Sequence, residues 1–341
     1  MIDFDEVLDN RNQHLTKWEA FPENYGVPAD TGIPLLVADM DFRAPPSVNE
    51  ALQKMVDHGV HGYYGPDDSF REAQVAWMAR RHDWAIEPDW ALQTHGLGNG
   101  LSVIINACSQ PGEAVIIFSP VYHSFARIIK ANDRRVHASP MQIRDGRFHM
   151  DLDALAASLT GDEKIMFLCS PHNPGGRVWS AEELRDVALF CETHDIIMVS
   201  DEIHHDLIMP GHSHTILAKV APEISHRLIT LVATSKTFNI AGIETGSMLI
   251  PDPALRQRVH SLSRRQPQAD ERGDRRHPRT VGHESRGDLS CLGRFLWHRN
   301  EARRIYRTAP PCRTGAKRGT HLRAGRRTVH AVQHRLPPCA S

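Results

Sequence analysis

The sequence predicts an α/β fold built on a largely parallel sheet, and three observations carry that expectation. Apolar runs of strand length recur at AVIIF (114–118), KIMFLC (164–169), IIMVS (196–200) and LITLVAT (228–234). Helical patterns separate the first three, which implies crossover connections and parallel neighbours. A polar, chemically able residue follows closely on each run: Tyr122, Asn173, Asp201 and Lys236. In a parallel sheet such residues gather along one edge, where α/β folds place their chemistry.

The elements follow in order. Residues 1–46 read as an irregular arm punctuated by Pro22, Pro28, Pro34, Pro45 and Pro46, with one apolar stretch, IPLLVADMDF (33–42). Its Asp39 and Asp41 suit either a metal or acid/base pair or the end of a strand and the cap of the next turn. SVNEALQKMVDHG, from Ser47, has a capping serine, apolar residues at helical spacing and a glycine stop. A turn-rich loop, HGYYGPDDSF, leads into an amphipathic helix over 71–83. THGLGNGLSVIINACSQPG (94–112) sets Gly96, Gly98 and Gly100 before an apolar helical run. A glycine turn opening a helix offers backbone N–H groups to a phosphate, and a plain tight entry to the helix fits as well. The spacing matches neither the Rossmann nor the P-loop template. Beyond AVIIF come a turn and helix (SPVYHSFARIIKAN), KIMFLC, a helix capped by Ser180 (SAEELRDVALFCETHD) and the strands IIMVSDE, LITLVAT and SMLI.

Composition sets the outer limits. The chain has 341 residues, is 40% hydrophobic and balances 40 Lys+Arg against 41 Asp+Glu. That balance is uneven along the chain: residues 1–263 carry −14 and residues 264–341 carry +13. The six cysteines form no CxxC pair, so neither a zinc site nor a disulfide framework is expected, and Cys108 and Cys169 read as packed thiols. The acidic start MIDFDEVLDN lacks the apolar core of a signal peptide, and no run reaches membrane-spanning length. A cytoplasmic protein with no membrane and no nucleic-acid partner is the expectation. The loose spacing of His204, His205, His212 and His214 is not read as a metal site.

The strand-end residues describe one kind of chemistry. A lysine in a partly desolvated pocket has a lowered pKa and can form a Schiff base with an aldehyde. A strand-end aspartate can keep a pyridine nitrogen protonated, an asparagine can donate to a phenolic oxygen, and a tyrosine can stack on the ring. Together these describe a pyridoxal-phosphate site.

Six motifs in series support that reading: VADMDF (37–42), GYYGPDDSFREA (62–73), SPVYHSF (119–125), CSPHNPGGRVWSAEEL (169–184), VSDEIHHDL (199–207) and TSKTFNIAGIETG (234–246). Over roughly residues 1–262 the chain resembles fold-type I pyridoxal-phosphate enzymes of the class I/II aminotransferase superfamily, and within it the MalY/PatB branch of cystathionine β-lyases. The resemblance implies a three-layer α/β/α architecture with a mainly parallel sheet. It also implies the cofactor pyridoxal 5′-phosphate, with Lys236 as Schiff-base lysine and base for the substrate α-proton. Asp201 would pair with the pyridine nitrogen, Asn173 bond the ring oxygen and Tyr122 stack on the ring. Ser235 and the amides around Gly96, Leu97 and Gly98 would hold the phosphate, and His204 joins the cofactor-binding set. Tyr63 is similar to the tyrosine that reaches the neighbouring subunit's phosphate, with Tyr64 as the alternative, so a homodimer with shared sites is implied.

The implied reaction is C–S β-elimination from cystathionine, cystine or another small cysteine S-conjugate, giving a thiol, pyruvate and ammonia. Glu244 stands where most class I aminotransferases have an arginine, and His204 where many have a tyrosine; both departures favour the lyase branch. An aminotransferase and a non-catalytic regulatory or defunct member are the alternatives.

The resemblance divides the chain. Residues 1–46 form the arm and part of a small domain, residues 47–262 the large cofactor-binding domain, and residues 263–341 an aberrant tail. Residues 264–341 hold 18 arginines and one lysine, while Leu, Ile, Val and Phe number 10 of 78. That is too few for a packed core. A nucleic-acid arm would need a fold motif or interleaved aromatics, which are absent. An ordinary disordered tail would not be so skewed to arginine. Loss of the reading frame in a GC-rich gene is the favoured reading. The small C-terminal domain is then missing or scrambled, and no tail arginine is nominated to grip the substrate carboxylate.

Overall fold

The computed structural model describes residues 3–263, apart from Tyr64 and Pro66. The expectations for the tail and for Tyr64 lie outside the described residues. Within them, a seven-stranded sheet has β1 (Ala91–His95), β2 (Ala114–Ser119), β3 (Arg135–Pro140), β6 (Glu163–Cys169), β7 (Ile197–Asp201), β8 (Leu228–Val232) and β9 (Thr245–Leu249). Their order is β1-β9-β8-β7-β6-β2-β3. A two-stranded hairpin, β4 (Gln142–Arg144) with β5 (Arg147–His149), lies apart from it.

The central strands read as unbroken apolar runs because both sheet faces are covered. Alternate residues serve opposite layers. Val115 and Ile117 join Phe125 of α5 (Ser124–Ala131) and Ile104 and Ile105 of α4 (Gly96–Cys108), with α10 (Pro253–Ser263) in the same layer through Leu255 and Val259. Ile116 and Phe118 face the other way, toward Leu184, Val187 and Ala188 of α7 (Ala181–Thr193) and Leu217 of α8 (Leu217–Val220). A smaller core sets Met78 of α3 (Asp68–His82) against Val232 and Leu249. This is the expected three-layer α/β/α arrangement.

Several local expectations are corrected. The strand containing SMLI, β9, runs antiparallel to both neighbours, β8 and β1. β1 and β3 are strands without a continuous apolar run: their patterns mix buried and exposed positions, because each lies at an edge of the sheet. The arm is not wholly irregular, since α1 (Thr16–Tyr25) forms in it, with Pro22 inside. Ser47 is no cap: α2 (Pro46–His58) begins one residue earlier, where proline's fixed φ suits the first helical position. Gly96, Gly98 and Gly100 lie within α4 rather than ahead of it. The cap at Ser180 is as expected, a reciprocal capping box with Glu183. Cys108 and Cys169 are buried free thiols. Among the described residues no helix is long and apolar enough to cross a membrane.

Candidate functional site

Sheet polarity collects the site. Strands β2, β6, β7 and β8 are parallel, and β1, antiparallel to β9, runs with them. The carboxyl ends of these strands, at His95, Ser119, Cys169, Asp201 and Val232, therefore share one edge with the start of β9 at Thr245. Register makes the neighbours close: Cys169 lies opposite Asp201, Asp201 opposite Leu231, and His95 opposite Thr245.

Lys236 sits in the short turn α9 (Thr234–Thr237), directly after β8. Its Nζ donates to the Ala38 carbonyl at 3.1 Å. Burial pushes the amine below the usual lysine range, against the opposing pull of Asp39 and Asp201. Asp201 is buried at the end of β7, and burial pushes its carboxyl up to about 6, although the Ile203 amide donates to Oδ1 at 3.2 Å and Lys236 pulls it back. Among the described residues that amide is the only hydrogen-bond donor to the carboxylate. His204, half-buried beside Lys236, is held below the usual histidine range by burial and then by the lysine charge.

The other expected ligands surround this pair. The Asn173 amide N–H donates to Cys169 Sγ at 3.3 Å, while no partner occupies its side-chain amide among the described residues. Tyr122 is partly exposed, its ring edge-on to His123 at 5.2 Å and to Phe125 at 5.7 Å. The glycine turn enters α4 with Gly96 at φ +71°, a conformation that glycine adopts without strain, and His95 supplies no side-chain cap to the helix start. That leaves the first amides of α4, including Leu97 and Gly98, open to an anion. Gly246 packs closely against this turn: a Cβ there would stand 2.8 Å from Leu97 Cδ2 and 3.1 Å from the Gly96 carbonyl carbon. Beside Gly246, Thr245 Oγ1 bonds Thr234 Oγ1 at 2.7 Å, and Ser235 follows with a buried side chain whose hydroxyl has no partner among the described residues. Tyr63 is not brought to the site; it is fully exposed. Glu244 is exposed as well, at φ 55°.

The arm aspartates end no strand, since residues 33–42 form none. Asp39 and Asp41 are counter-ions of the buried Lys17, whose Nζ lies 3.0 and 2.9 Å from their carboxylates. Sequence reasoning also missed the clamp that docks this arm. Asn239 accepts from the Met40 amide at 2.9 Å and donates to the Met40 and Phe42 carbonyls at 2.9 and 2.7 Å. The only local signal was an asparagine, a residue tolerant of positive φ, three positions after the lysine.

Comparisons with known proteins show the family. The family described as aminotransferase class I and II matches residues 30–267. The chain belongs to that family. Cystathionine β-lyase PatB of Bacillus subtilis is 36% identical over 77% of this chain and 68% of its own length. Protein MalY of Escherichia coli is 33% identical over 75% of this chain and 65% of its own. The crystal structure of cystalysin from Treponema denticola, which contains a pyridoxal 5′-phosphate cofactor, superposes with a TM-score of 0.73 at 35% identity, covering 77% of this chain and 67% of that one. The chain thus spans about two thirds of the length of these relatives.

Proposed function

We propose that this chain is a pyridoxal-phosphate-dependent carbon–sulfur β-lyase, cleaving L-cystathionine or a related cysteine S-conjugate to a thiol, pyruvate and ammonia. The observation that carries the reading is the pairing of Lys236 with Asp201 on adjacent strand ends. One is an amine held below its usual range; the other is a buried carboxylate with an open oxygen. The names of PatB and its relatives support the C–S lyase class.

The residues fit pyridoxal 5′-phosphate as cofactor. The open amides at the start of α4 and the free Ser235 hydroxyl suit its phosphate. Asp201 suits a protonated pyridine nitrogen, whose charge would offset the cost of burying the carboxylate. The Asn173 amide suits the ring hydroxyl oxygen and Tyr122 the ring face. When bound, the cofactor supplies an aldehyde that captures an amine and a ring that accepts the electrons of the broken Cα–H bond.

Lys236 would then have two tasks: its Nζ would hold the cofactor and would take the α-carbon proton of the substrate. The C–S bond breaks with its electron pair leaving on sulfur, and water releases pyruvate and ammonia from the remaining three-carbon unit. His204, held below the usual histidine range by burial and by the lysine charge, belongs to the same set of residues. A second copy of the chain completes this reading, its exposed Tyr63 reaching across to the phosphate.

Borohydride reduction of the yellow protein followed by peptide mapping is the direct test. The cofactor should be fixed at Lys236, and Lys236→Ala should abolish both fixation and pyruvate release from cystathionine. Amino exchange between an amino acid and a 2-oxo acid, without pyruvate from cystathionine, would instead identify an aminotransferase. A chromophore without turnover would identify a defunct or regulatory member.

A further inference from the structure

A second polar cluster lies behind the lysine, on the α3 side of the sheet. At its centre is Asp206, whose side chain is 3% exposed. Thr237 Oγ1 donates to Oδ2 at 2.9 Å, and Trp77 Nε1 donates to the same oxygen at 3.0 Å. His82 Nε2 lies 3.0 Å from Oδ1 and His205 Nε2 lies 3.2 Å from Oδ2. Arg81 stands 3.6 Å away at the rim. The carboxylate therefore ties together three pieces of chain remote in sequence: α3, the segment after β7, and α9.

The need for such a tie is visible beside it. A cavity of about 210 Å³ separates α3 from the lysine turn, lined by Phe70, Trp77, Val232, Thr234, Thr237 and Phe238 among others. Apolar packing under α9 is incomplete there, bridged by the edge-on contact of Trp77 with Phe238 at 5.3 Å. A four-residue helical turn has almost no stability of its own. The orientation of its lysine then depends on what its side chains are fastened to.

We infer that Asp206 is a positioning residue for Lys236, fastening the lysine turn through the Thr237 hydroxyl to α3 and to the segment that carries Asp201. The inference rests on the proposed role of Lys236. Asp206 touches neither cofactor nor substrate; it sets the direction from which Nζ approaches them. The charged and titratable groups around it are Arg81 and His82 from α3, Glu202, His204 and His205 from the segment after β7, His214, which pairs with Glu202 at 2.7 Å, and Lys236 itself. Two imidazoles and a carboxylate within 4.8 Å also have the donor set of a transition-metal site. Trp77 and Thr237 already hold Oδ2 and both ring nitrogens reach the carboxylate at hydrogen-bond distance, so the carboxylate is satisfied without an ion, while the buried Nδ1 of His205 has no partner among the described residues.

Thr237→Val tests the tie while leaving Asp206 its bonds to Trp77, His82 and His205. Pyruvate release should fall on the order of tenfold or more in kcat, with KM changed by no more than about twofold, since a small misorientation of a reacting group costs rate rather than binding. Thr237→Ser should restore it, and Asp206→Asn should reproduce the loss. A second readout needs no cofactor: in apoprotein treated with trinitrobenzenesulfonate, the pH midpoint for labelling Lys236 should move up in Thr237→Val as the amine escapes its desolvated position. Unchanged kcat and labelling midpoint in Thr237→Val would overturn the inference. So would zinc binding, one per chain, that Asp206→Asn abolishes and that wild-type activity requires. If the wild type holds no cofactor, the lyase reading fails on its own account, while the labelling midpoint still reports whether the tie positions the lysine.

Discussion

At Asp201 the cost of burial is expressed in the acid's affinity for its proton. Burial pushes the folded-state value up to about 6, above the ordinary aspartate value near 4 of the unfolded chain. Between those values the folded apoprotein binds more protons than the unfolded chain, so its stability falls as pH rises across that window. The loss is on the order of 3 kcal/mol for a shift of this size. Urea midpoints of apoprotein at pH 4 and pH 7 should therefore drop in wild type relative to Asp201→Asn, which lacks the titration. A protonated pyridine ring would offset the same cost, so cofactor should protect the wild type at pH 7 more than the variant. Equal pH dependence in the two proteins would show that the carboxyl is not desolvated. His204 and Lys236 sit beside this group, and both are shifted by burial first, which makes the pocket rather than any single neighbour the source of the unusual acidity.

At the scale of elements, the notable contact is between the arm and the lysine loop, about two hundred residues apart in sequence. Asn239 closes it with three hydrogen bonds to the backbone of Met40 and Phe42, and Ala38 accepts from Lys236 next to it. Asn239→Gly keeps the positive φ of 54° while removing the clamp. Three exposed hydrogen bonds are together worth about 2 kcal/mol, so cleavage of the arm by a protease should speed up roughly ten- to thirtyfold. Peptide mapping after brief trypsin treatment would locate the cuts; cleavage confined to sites outside residues 30–45 would mean that the arm is held by something else. The apolar stretch 33–42 suggested a strand end in sequence, yet no strand forms there, and Leu35 is 76% exposed. Its motif serves to bring a carbonyl to the lysine and two carboxylates to Lys17, a task that hydropathy does not reveal.

At the largest scale, among the described residues, apolar side chains of α2 are left exposed. Helix α2 buries none of its residues, and its Leu52, Met55 and Val56 form a stripe at helical spacing, all exposed. Tyr63 follows a few residues later, also exposed. Contiguous apolar patches of this kind mark interfaces, which agrees with the proposed pairing of two copies. The double variant Leu52→Lys/Val56→Glu should lower the association state seen by sedimentation velocity while leaving the thermal midpoint nearly unchanged, because neither side chain contributes to the core. A wild-type chain that is monomeric at all concentrations, with the variant indistinguishable from it, would remove the support for shared sites.

The sequence by itself determined the α/β class, the central strands β2, β6, β7 and β8, the helices α4 and α7 and the strand-end residues Asn173, Asp201 and Lys236. These follow from local rules: apolar run length, helical spacing, capping and the polarity of what comes next. It did not determine the edge strands, because β1 and β3 are covered unevenly and lack an unbroken apolar run. Nor did it reveal the reversal of β9, since strand direction depends on connection geometry rather than on the strand's own residues. Only the tertiary structure decided which distant groups meet. Lys17 with Asp39 and Asp41, Asn239 with the arm, Gly246 with the Gly96 turn, and Asp206 with His82 and Thr237 are pairings across long loops. A hydrogen bond or ion pair leaves no periodic trace in a sequence, and its partner is chosen by the packing of the whole sheet.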